Sequence, residues 1–246
     1  MSRSATRRLL AAAAAALLAA GGHAADGIRK EPVRFEKGAS QAVLKARIQG
    51  DETVDYVLRA GAGQTLAVTL KKTNPSTYFN VLPPGSNDVA MFVGQDGGDY
   101  EGVLPADGDY TVRVYLMRPA ARRNEASDYT LTIGVTGEAL KPTPASQDAV
   151  VPGTSFHASA KIKCVPFLET SARECDAFVT RRGLDGTATV EILQASGRRR
   201  ILFVKGQAVA SDATDTLSAT RQGDVSVVKL GADERYEVPD ALVSGG

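Results

Sequence analysis

Between Val33 and Val135 apolar residues recur at every second position, and turn-forming residues break the runs at short intervals. Ala42, Leu44, Ala46 and Ile48 share one face of a strand. Asp55 to Ala60 reads as another strand, joined through Gly61-Ala62-Gly63-Gln64 to a partner in which Leu66, Val68 and Leu70 point inward. Val33 to Lys37 is expected to be the first strand, and Tyr78 to Leu82 is a further one that runs into Pro83-Pro84. No helix longer than a turn or two fits this stretch. The fold class is therefore all-β, an antiparallel sandwich.

The most informative hairpin runs from Leu104 to Glu125. Asp107-Gly108 supplies a tight turn, and Tyr110, Val112, Val114 and Leu116 then alternate with Thr111, Arg113 and Tyr115. Arg118-Pro119 ends the alternation, because proline lacks a donor and fixes its own φ. If Pro119 opens one helical turn, Arg118 and Arg122 stand at i and i+4 and project two guanidinium forks side by side, with Arg123 next to them. Such forks pair bidentately with carboxylates and suit an acidic cleft. The chain returns through Tyr129, Leu131, Ile133 and Val135.

The alternation stops at Thr136. Gly137 to Pro152 is rich in proline, glycine and small polar residues without period, and is read as a linker, residues 137–152, between a β-sandwich at 25–136 and a smaller β-domain at 153–246. In the second domain Phe156 to Cys164, Ala177 to Thr180, Ala188 to Ile192, Ile201 to Phe203, Val225 to Val227 and Glu234 to Asp240 read as strands of a small meander or open barrel. Arg198-Arg199-Arg200 follows a Ser-Gly turn and is expected to lie on a solvated edge strand that uses charge against aggregation.

Residues 1–24 have the organisation of a signal peptide: Arg3, Arg7 and Arg8, an apolar run from Leu9 to Ala20, and a small-x-small site ending at Ala24. Its apolar run is too short to span a bilayer as a helix, so no membrane span is expected after cleavage. Export implies an oxidising compartment, which makes a Cys164–Cys175 disulfide the default for the two cysteines. Removing three arginines and no acid leaves 26 basic against 28 acidic residues, a charge of −2, and this disfavours nucleic acid as a partner.

Nothing in the chain assembles into a catalytic or cofactor motif. His157 lies in an alternating strand, there is no nucleophile elbow or phosphate loop, and the aspartate-rich turns lack calcium-loop spacing. An enzyme, a metal and a cofactor are not expected.

The run Leu104 to Arg123, with Phe35-Glu-Lys-Gly38, Asp55-Tyr56 and Tyr78 to Asp88 upstream, resembles the periplasmic inhibitors of goose-type (g-type) lysozyme over Val33 to Val135. The resemblance implies an exported inhibitor whose partner is a g-type lysozyme and whose contact residues are Arg118, Arg122, Tyr56 and Arg123, entering a cleft that works through carboxylates. Asp51 stands where many members carry an aromatic residue. The strands are also similar to prepeptidase C-terminal sandwiches, which would make this an envelope structural or carbohydrate-binding module without inhibitory action.

Overall fold

The structure, a computed structural model of the chain, describes residues 27–96 and 98–245, and the expected signal peptide lies outside them. Along the first half run β1 (Ile28–Pro32), β2 (Gln41–Gln49), β3 (Thr53–Ala60), β4 (Thr65–Lys72), β5 (Thr77–Leu82), β6 (Phe92–Val93), β7 (Tyr100–Val103), β8 (Gly108–Leu116), the one-turn helix α1 (Arg118–Arg122) and β9 (Ala126–Thr136). They form two sheets, ordered β1-β3-β8-β5-β6 and β2-β9-β4-β7. All pairs are antiparallel except β1 with β3.

Period-two patterning sets which side chains meet between the sheets. Tyr110, Val112, Val114 and Leu116 of β8 point inward, as do Val54, Tyr56 and Leu58 of β3, and they pack on Leu66, Val68, Leu131 and Ile133 of the facing sheet. Buried phenols find partners: Tyr110 donates to the Ala106 carbonyl at 2.8 Å, and the Tyr56 and Tyr129 hydroxyls lie 2.8 Å apart. The first strand differs from the sequence expectation. It lies at Ile28–Pro32; the Val33 amide still donates to the Val57 carbonyl at 2.8 Å, and Val33 and Phe35 then pack on the core from an irregular segment.

The second half forms one antiparallel sheet of eight strands: β10 (Ala158–Val165), β11 (Arg173–Arg181), β12 (Ala188–Gln194), β13 (Gly197–Val204), β14 (Gln207–Ser211), β15 (Leu217–Gln222), β16 (Val225–Leu230) and β17 (Glu234–Pro239). The order is β14-β13-β12-β11-β10-β17-β16-β15, and the edges β14 and β15 touch, so the sheet curls almost shut around its own core. The short helix α2 (Asp240–Ser244) packs Leu242 and Val243 against that core. Cys164 and Cys175 form a disulfide linking β10 to β11. Closing a loop this short constrains the unfolded chain by about 3 kcal/mol in the chain-entropy model.

The arginine run is corrected by this topology. β13 is flanked on both sides, and Arg199, in phase with Ile201 and Phe203, points into the barrel. There it donates to both Glu234 oxygens at 2.7 and 2.9 Å and to Asp212. Arg200, on the other face, donates to Asp212 and to the Pro84 carbonyl of the sandwich. Only Arg198 of the three is solvated, and it pairs with Glu191.

The Pro84 contact is one of several between sandwich and barrel. Ala62, Leu202 and Ala210 make a small buried cluster flanked by Leu140 and Val204. Arg182, its side chain 2% exposed, donates to Asp107 at 2.9 Å, while Thr189 donates to the Pro105 carbonyl at 2.7 Å. The stretch after β9 carries no strand up to Ala158 and is fastened along its length: Leu140 to Ala62, Thr143 to Arg181, and Asp148 to the Arg181 guanidinium. His157 accepts the Arg181 N–H on Nδ1 at 3.0 Å, and its Nε2 donates to the Thr143 carbonyl at 2.8 Å.

Candidate functional site

Strand β8 begins beside the barrel contact, at Gly108 next to Pro105 and Asp107, and ends at the opposite pole of the sandwich. Its nine residues put about 30 Å between the two. At the free pole three connections lie abreast. The β8–β9 connection, which is α1, sits between the β2–β3 turn and the β4–β5 turn, because β8 is flanked by β3 and β5 and β9 by β2 and β4.

α1 forms as the Arg-Pro dipeptide predicts. Pro119 occupies its first turn, the Ala120 and Ala121 amides donate to the Met117 carbonyl, and both alanines are buried against the core. Small side chains here let the helix lie flat on the sandwich end. Asn124, at φ +54°, reverses the chain into β9.

Both neighbouring turns clamp this helix. On one side the Met117 amide donates to the Ser76 carbonyl at 2.9 Å, and the Asn74 side-chain amide donates to Glu125 at 2.9 Å. On the other, the Gly50 amide donates to the Glu125 carbonyl at 2.9 Å. Gly50 stands at φ +59°, a conformation that favours glycine, and a Cβ there would displace the Asn124 side-chain oxygen, which lies 2.8 Å from its position.

Of the residues expected to meet a partner, three are brought together. Arg118, Arg122 and Arg123 are all exposed on α1 and its C-cap. Arg123 is engaged, donating to Glu125 at 2.7 Å, and the Asn74 side-chain amide together with this guanidinium holds the Glu125 carboxyl below its ordinary range. Arg118 and Arg122 enter no ion pair among the described residues, and stand one turn apart on a backbone fixed from both sides. Asp51 and Glu52 line the hollow beside Arg122.

Tyr56 is placed differently from the expectation. It is 1% exposed, inside the sandwich with its hydroxyl on Tyr129, and burial pushes its pKa up. The alternation that points Val54 and Leu58 inward takes Tyr56 with them, so it supports the scaffold and reaches no surface. Among the described residues no group of three or more His, Cys, Asp or Glu side chains is placed to hold a metal ion. No helix there is long and apolar enough to cross a membrane.

A sandwich that fixes a cationic helix at one pole has the build of a loop-presenting binding module. A curated relative, the inhibitor of g-type lysozyme from Escherichia coli (strain K12), is 30% identical over 106 residues, which cover 42% of this chain and 78% of that protein. The chain belongs to the family of inhibitors of g-type lysozyme, through its N-terminal region. Solved structures similar to it include Aeromonas hydrophila PliG, a periplasmic inhibitor of g-type lysozyme, at 38% identity, 44% of this chain, 97% of that chain and a TM-score of 0.42. Salmonella Typhimurium PliG aligns at 29% identity over the same shares, with a TM-score of 0.35. No protein-family model matches the chain.

Proposed function

We propose that this protein is an exported, non-enzymatic inhibitor of g-type lysozyme, acting in the periplasm, that inserts Arg118 and Arg122 into the acidic substrate cleft. The observation that carries this reading is the clamped α1 with two exposed guanidinium groups one turn apart and uncommitted to neighbouring acids. Muramidases of this kind work through carboxylates, and a guanidinium can pair one bidentately. Because the loop is fixed beforehand by Ser76, Asn74 and Gly50, little conformational freedom is lost on binding. Arg123, tied to Glu125, lies at the rim of the contact. We read residues 153–246 as a second domain joined through 137–152, and the position of the barrel at the far pole leaves the arginine tip unobstructed.

The test is titration of the mature protein against a g-type and, in parallel, a chicken-type lysozyme, following lysis of peptidoglycan-exposed cells. Inhibition of the g-type enzyme at near-stoichiometric protein, abolished by Arg118→Ala with Arg122→Ala, is the expected result. If neither enzyme is slowed, the inhibitor reading fails and binding to glycan becomes the question.

A further inference from the structure

We propose that Tyr78, Tyr115 and Lys72 form a second contact patch for the same lysozyme, so that recognition runs from α1 along one flank of the sandwich; this rests on the inhibitor reading above. Tyr78 and Tyr115 lie opposite each other in the β5–β8 ladder, one rung from its end, where Thr77 faces Leu116. Both point to the outer face of their sheet and are half-exposed. Each is held. The Tyr115 hydroxyl donates to Asn80 Oδ1 at 3.2 Å, and the Lys72 Nζ stands 4.0 Å from the centre of the Tyr78 ring while donating to the Pro75 and Thr77 carbonyls.

Geometry and charge select this flank. Arg118 is three residues beyond Tyr115, so their Cα atoms are at most about 11 Å apart. A stable interface takes about 800 Å² from each partner, a disc of about 16 Å radius. A footprint that includes Arg118 therefore extends beyond α1, and it can spread toward either neighbouring turn. On the β2–β3 side it meets Asp51 and Glu52, which repel an acidic cleft. On the β4–β5 side it meets an ammonium, whose charge complements an acidic cleft, and two immobilised phenol rings, a side-chain type enriched among interface hot spots. The patch ends where Asp96 and Asp99, lining the same hollow as Lys72 and Tyr78, reverse the charge.

The experiment measures inhibition constants against g-type lysozyme for Tyr78→Ala, Tyr115→Ala, Lys72→Glu and Asp51→Ala, each checked for a cooperative melt. Tyr78→Ala and Tyr115→Ala are expected to weaken inhibition by about 10- to 100-fold. Lys72→Glu is expected to weaken it at least about 10-fold, since an ammonium facing acid is replaced by a carboxylate. Asp51→Ala is expected to leave inhibition unchanged or tighter. Lys72 lies outside the core but donates to the Pro75 and Thr77 carbonyls of the turn that holds α1, so Lys72→Met, which loses the same bonds without adding an acid, is measured beside Lys72→Glu; a Lys72→Glu no weaker than Lys72→Met overturns the patch even if a tyrosine variant does not fold. Folded patch variants that inhibit like wild type, while Arg118→Ala with Arg122→Ala does not inhibit, overturn the patch and leave the arginine reading standing. A wild-type protein without any inhibition overturns both. Loss of binding to insoluble peptidoglycan by the tyrosine variants, with lysozyme inhibition intact, assigns the patch to glycan and also overturns the proposal.

Discussion

Replacing Arg199 by methionine tests whether the barrel depends on its internal charges. Arg199, Glu234 and Asp212 have side chains 6%, 2% and 0% exposed, and the guanidinium serves both carboxylates at once. Burial alone would lower the arginine's pKa, but hydrogen bonding to Glu234 and the charges of Asp212 and Glu234 more than offset this and raise it. In the Arg199→Met variant, Asp212 keeps the backbone amide and guanidinium of Arg200, whereas Glu234 keeps only the Tyr236 hydroxyl. An unpaired buried charge costs about 3–5 kcal/mol. At about 2–4 °C per kcal/mol for a chain of this length, Tm should fall by about 6–20 °C. Removing the orphaned acid as well, in Arg199→Met with Glu234→Met, should recover part of the loss, because methionine fills the space without charge and Tyr236 still accepts from Gln194. Denaturant unfolding of wild type, both single variants and the double variant, with the disulfide oxidised, gives the coupling directly. Additive costs, or a single-variant cost under about 1 kcal/mol, would refute the argument that Glu234 depends on Arg199.

Two further predictions concern buried hydroxyl groups. Thr77 is fully buried and its hydroxyl finds no partner among the described residues, so Thr77→Val, nearly the same shape, should raise stability by about 1 kcal/mol, measured as a shift in the urea midpoint. Burial raises the pKa of Tyr100 from 10.0 to about 12 and pushes Tyr110, Tyr129 and Tyr236 up as well. Above pH 10 the unfolded chain then releases protons that the folded one retains. The tyrosines' contribution should be flat below about pH 9 and fall above 10, with Tyr100 alone removing about 1.4 kcal/mol by pH 11; a denaturation midpoint unchanged between pH 9 and 11 would contradict this.

How much of this was legible in the sequence depended on whether a residue's phase or its neighbours decided its fate. Phase placed the apolar rows of β8, β3 and β4 correctly, and the Arg-Pro step placed α1. Phase also carried information that residue type obscured. Tyr56 keeps step with Val54 and Leu58, Arg199 with Ile201 and Phe203, and Glu234 with Tyr236 and Val238. A guanidinium and a carboxylate each in step with an apolar row of the same domain together imply an interior ion pair, although either alone reads as surface. β15, exposed from Ser218 to Gln222, has no apolar row to betray it, and β7 alternates over only a few residues.

The pole that carries the arginines was legible only in its own segment. What holds α1 are a carbonyl from Ser76, an amide from Gly50 and a side chain from Asn74, each distant in sequence and two of them backbone groups that any residue possesses. Only the φ of +59° at Gly50 leaves a mark on residue choice. The same holds for Tyr78 and Tyr115, which become neighbours through register alone. On the inhibitor reading proposed above, recognition by this pole would be a property of three turns brought abreast by strand order, and loosening either outer turn should weaken a partner's grip on arginines that neither turn contains.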